Sequence, residues 1–118
     1  MPTLRVDADN LIIDIHGLDK LWALKSRLTI PLAHVRGATA GPGVVTGPQG
    51  WRGPGAHIPR VIAVGTFHKD GDRVFWDVHD RNKAVIIELQ DEKYRRIVVE
   101  VGDPQAAVKT IQQALAGL

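Results

Sequence analysis

Five side chains in the middle of this chain, Arg36, Trp51, Arg52, His57 and Arg60, combine groups that grip anions with one that lies against apolar or flat surfaces. Guanidinium forks match the oxygens of phosphate and carboxylate, and an indole stacks on a ligand or sits at an interface. These five are the expected ligand- or partner-binding residues. Asp77 and His79 form a second grouping. Two apart on a strand, they share a face, and a His–carboxylate pair can act as a general base or begin a metal site. Two ligands are too few for a metal, so the expectation is structural: Asp77 orients His79 or caps a turn. Ser26 is the sole serine and no Gly-x-Ser-x-Gly elbow surrounds it. The glycines of residues 41–55 lack the Gly-Lys-Ser/Thr of a phosphate loop, and no dinucleotide fingerprint occurs. The residues point to no catalytic group, no metal and no cofactor, and the chain is expected not to be an enzyme.

Charge is more telling by position than by sum. Lysine and arginine total 15 against 13 acids, a formal charge of only +2. Yet no acid lies between Asp19 and Asp70, an interval that holds Lys20, Lys25, Arg27, Arg36, Arg52, Arg60 and Lys69 with three histidines. Clustered cations raise a local potential that a near-neutral total conceals, which predicts an anion-facing patch. Cation density is nonetheless low and aromatics are 5%, so nucleic acid is not the expected partner.

At 118 residues the chain is expected to be one domain, and 44% hydrophobic residues suffice for a single core. Cysteine is absent, which removes disulfides, thiol nucleophiles and Cys-ligated metals. No apolar run approaches the ~20 residues of a membrane-spanning helix. Acids stand near the N-terminus where a signal peptide would be apolar, so a cytoplasmic location is expected, with a peripheral membrane role open.

The elements that must position these groups are mostly strands. Leu4 and Val6, then Leu11, Ile13 and Ile15, alternate around Asp7-Ala8-Asp9-Asn10, an opening hairpin. Leu18, Leu21 and Trp22 recur at helical spacing and predict a short inserted helix. Residues 27–30 and 35–40 read as strands parted by Pro31. Residues 41–60, half of them Gly or Pro, predict a long irregular loop around Trp51. Beyond it, Asp70-Gly71 marks a tight hairpin that sets Phe67 opposite Val74 and Trp76 opposite Gly65. Strands follow around Val85, Ile87 and Leu89 and around Ile97, Val99 and Val101. Asp103 and Pro104 open a C-terminal helix over residues 103–116, whose stripe Val108, Ile111 and Leu115 must be buried against the sheet, and Gly117 ends it.

Several segments carry a resemblance: Ile30-Pro31-Leu32-Ala33-His34-Val35, Gly65-Thr66-Phe67, Phe75-Trp76-Asp77-Val78-His79, Ala84-Val85-Ile86-Ile87-Glu88-Leu89, and Val98-Val99-Glu100-Val101 before Asp103-Pro104. Together they resemble the bacterial pleckstrin-homology-like domains over nearly the whole chain. The resemblance implies a mainly β fold, an antiparallel barrel or sandwich of about seven strands with an inserted helix and a C-terminal capping helix. It also implies a binding or assembly module. Phosphoinositide-binding relatives place basic residues around the first hairpin, whereas this turn is Asp7-Ala8-Asp9-Asn10, so that headgroup site is not carried over. The expected function is a non-enzymatic interaction module for a protein partner or an anionic ligand or membrane surface. A self-assembling homo-oligomer is the main alternative, with nucleic-acid binding and a small hydrolytic activity behind it.

Overall fold

The computed structural model describes residues 2–15, 27–40, 51–58, 62–69, 71–79 and 83–118, with backbone alone for 51–58, 62–64 and 69. Among these residues it is mainly β, with two open sheets and one C-terminal helix. The smaller sheet is an antiparallel meander of β1 (Thr3–Asp7), β2 (Asn10–Asp14) and β3 (Arg27–Pro31). A 3-10 turn, Leu32–His34, leads into the larger sheet of β4 (Val35–Ala40), β5 (Trp51–Ile58), β6 (Ile62–Lys69), β7 (Asp72–Val78), β8 (Ala84–Leu89) and β9 (Arg96–Glu100). Its order is β4-β8-β9-β7-β6-β5. The helix, α1, spans Pro104–Ala116. The inserted helix expected around residues 18–25 lies outside the described residues.

Period-two alternation builds the smaller sheet. Its register forms two apolar rows, Val6–Leu11–Ile30 and Leu4–Ile13–Leu28, that face the larger sheet. There they meet Phe75, Val85, Ile87, Leu89, Ile97 and Val99 in one core. The helix completes that core. Val108 and Ile111 are buried, with Ala107, Ala114 and Leu115 packed beside them, and α1 lies on β4 while also touching β1 and β8. Gly37, Ala38 and Ala40 keep β4 small, which lets the helix approach. Asp103 caps it, accepting from the Ala106 amide at 3.1 Å. Gly117 ends it at φ −85°, so the left-handed freedom of glycine is not used there.

Four expectations need correction. The sheets do not close into a barrel, and the described strands number nine where about seven were expected. The larger sheet is not wholly antiparallel, because β9 inserts between β7 and β8 and runs parallel to β7. The inner position of β9 accords with Ile97-Val98-Val99, all buried: a continuous apolar run suits a central strand covered on both faces, whereas alternation suits a half-exposed one. Finally, residues 51–58 of the expected Gly/Pro loop are a strand. Pro54 falls inside a register shift between Arg52 and Gly55, where no ladder bond is asked of it, and β5 ends the sheet. An edge strand with a bulge tolerates the proline that an inner strand rejects.

The hairpin of β6 and β7 forms in the expected register, with Gly65 opposite Trp76 and Phe67 opposite Val74. Gly65 has φ +122°, a left-handed conformation that disfavours any side chain, directly across the ladder from Trp76. Phe67 meets Trp76 edge to face, ring centres 6.4 Å apart, within a second cluster on the other face of the sheet.

Candidate functional site

The two end strands of the larger sheet hold four of the five expected binding residues. Arg36 lies on β4, while Trp51, Arg52 and His57 lie on β5. Four strands separate β4 from β5, roughly 24 Å along the sheet at the usual strand spacing. The structure therefore brings Trp51, Arg52 and His57 onto one strand and sets Arg36 on the opposite edge. Arg60 lies outside the described residues.

Each end strand breaks register beside an arginine. On β4 the shift falls between Val35 and Gly37, leaving Arg36 as the extra, unpaired residue. On β5 it opens at Arg52. A bulge bends its strand and re-aims the side chains around it. Arg36 is exposed and makes no ion pair with a described residue, unlike Arg5, Arg27 and Arg96, which each face a carboxylate.

Beside Arg36 runs a groove of about 510 Å³ between β4 and the last turns of α1, reached by Glu88, Gln112 and Leu115. Sequence reading missed Gly37, Gln112 and Leu115. Gln112 reads as an ordinary exposed helix residue and Leu115 as core, and only the packing of α1 against β4 makes them walls.

Asp77 and His79 do lie close. Asp77 is fully buried, and its Oδ1 is 3.9 Å from His79 Nε2. Register places Asp77 in the row Val64–Asp77–Val99–Val85. The His79 amide donates to Glu100 Oε1 at 2.7 Å, tying the end of β7 to β9. Among the described residues no group of three or more His, Asp or Glu is placed to hold a metal.

Two further polar links hold the frame. His34 Nδ1 meets Glu92 Oε2 at 2.5 Å, and the Gln90 amide donates to the His34 carbonyl at 2.9 Å, strapping the β8–β9 turn to the 3-10 turn. On the smaller sheet, Asp14 bridges Arg27 at 2.7 Å and Arg5 at 3.5 Å. The Arg27 hydrogen bond holds the Asp14 carboxyl below its ordinary value; partial desolvation opposes this, and the Arg27 and Arg5 charges add to it.

Comparison of the chain with family models, curated proteins and solved structures finds no match.

Proposed function

We propose that this chain is a non-enzymatic recognition domain that binds an anionic partner along the end strands of its larger sheet. The observation that carries this reading is positional. Both β4 and β5 fall within the interval between Asp19 and Asp70 that contains no acid, and each is interrupted at an arginine. The inner strands β7, β8 and β9 carry Asp72, Asp77, Glu88 and Glu100. The end strands thus carry cations and no acid, whereas β7, β8 and β9 mix these acids with Arg73 and Arg96, and a field of one sign attracts and orients a partner of the other. The register shift on β5 also discourages pairing of that edge with a like edge, which favours partner binding over self-assembly.

A pleckstrin-homology-like fold is part of the proposal. Two packed sheets with a C-terminal helix over their shared core support it, while the parallel β7–β9 pair departs from it. No described helix is long and apolar enough to cross a membrane. The test is co-sedimentation with vesicles of phosphatidylserine and phosphatidylcholine, alongside titration with poly-glutamate, each at low and high salt. Binding of at least one polyanion at low salt, weakened by high salt and by Arg52→Ala with Arg60→Ala, is expected. Failure to bind either polyanion contradicts the proposal.

A further inference from the structure

We infer that the groove between β4 and α1 binds an extended acidic peptide segment of a partner protein, which adds alongside β4 and sets a carboxylate on Arg36. This names a site and a partner class within the recognition reading, and rests on it for the sign of the ligand's charge.

Four features converge on the groove. First, β4 ends its sheet, so no described strand takes up the backbone N–H and C=O groups along its outer side. Such an edge recruits an extended chain through main-chain hydrogen bonds, with side chains setting specificity. Second, the groove's charge is one-sided. Glu88 is held by Arg96 at 2.8 Å, whereas Arg36 has no ion-pair partner among the described residues. The net field along the groove is that of a cation, and a carboxylate complements it. Third, its walls are of mixed character: half-buried Leu115 offers an apolar surface and exposed Gln112 an amide. Fourth, a Cβ built on Gly37 meets no atom within 4 Å. The strand is open at the point where a partner's backbone must come close. A lipid surface fits less well, since membrane attraction is built from clustered cations and Arg36 is the only cation lining this groove among the described residues.

The test titrates the full ¹⁵N-labelled chain with capped peptides of about eight residues that alternate Val with Glu, or Val with Lys. The Glu peptide is expected to shift backbone resonances of residues 36–40 and 112–115. Its affinity should fall about five-fold in Arg36→Ala and more than about tenfold in Gly37→Val, which plugs the groove. Because a Cβ at Gly37 meets no atom within 4 Å at ordinary φ, Gly37→Val should melt like the parent. If valine disturbs the strand, Gly37→Ala should still weaken binding about threefold. Equal binding of the Lys peptide, shifts confined to residues 51–58, or undiminished affinity in the Gly37 variants overturns the inference. So does Arg36-dependent pelleting with phosphatidylserine vesicles in place of peptide binding. A fall in molar mass by light scattering on Gly37→Val assigns the groove to a second copy and likewise overturns it. If poly-glutamate still binds through Arg52 and Arg60 while the groove is silent, the groove inference fails alone. If neither probe binds, the recognition reading fails with it.

Discussion

The strands β4 and β5 terminate the same sheet and are finished differently. Against β4 lies α1, whose Val108 and Ile111 enter the main core, so this edge is bound into the most buried part of the molecule. No described strand pairs along the far side of β5, which is built from Gly, Pro and a register shift. One end is anchored by the packing of α1, and the other is finished by backbone chemistry that makes a poor template for pairing. The contrast shows how one short chain finishes the two ends of a six-stranded sheet, one with a helix and one without. It also concentrates stability at the β4 end, where the exposed Arg36 stands beside α1.

That contrast can be broken by substitution. Ile111→Ala, fully buried under α1, should cost about 3 kcal/mol in urea unfolding, because a core cavity opens where the helix meets the sheet. A loss well below about 1 kcal/mol would mean that α1 does not carry the β4 end. Next in size is a pair of glycines. Gly65→Ala, at φ +122° beside Trp76, should cost about 2 kcal/mol. Gly37→Ala, in open space on β4, should be neutral or slightly stabilising. Equal effects at the two positions would remove the distinction between them. Asp103→Ala deletes the cap of α1 and should cost about 1 kcal/mol, read from the same denaturation curves.

A small, pH-dependent effect belongs to the β1–β3 sheet. Asp14 titrates below its ordinary value in the folded chain, so its contribution is present above the unfolded aspartate pKa and disappears as pH falls through the lowered folded value. Asp14→Asn should therefore lower the melting temperature slightly at neutral pH, with the gap to the parent closing in acid. A gap that widens in acid would contradict the ion pair with Arg27.

Much of the architecture was legible beforehand where local chemistry decides it. The Ala8-Asp9 turn, the register of Gly65 with Trp76, and the Asp103-Pro104 start of α1 all follow from short-range signals. What was not legible depends on which strand lies beside which. Ile97-Val98-Val99 reads as an alternating strand until both of its faces prove to be covered. Gly53-Pro54-Gly55 reads as loop until an edge position makes the proline harmless. The candidate site shows the same split. Arg36 and Arg52 stand out by charge, but their placement on opposite edges, and the walls supplied by Gln112 and Leu115, come from topology alone.

The central claim, that anions are recognised along the two end strands, is tested most directly by the salt dependence of poly-glutamate affinity in matched variants. The combined Arg36→Ala, Arg52→Ala, Arg60→Ala chain should bind at least about tenfold more weakly than the parent and respond less to salt, while Arg5→Ala, whose charge is already engaged by Asp7 and Asp14, binds as the parent does. Equal weakening by Arg5→Ala, or no binding by the parent at low salt, would contradict it.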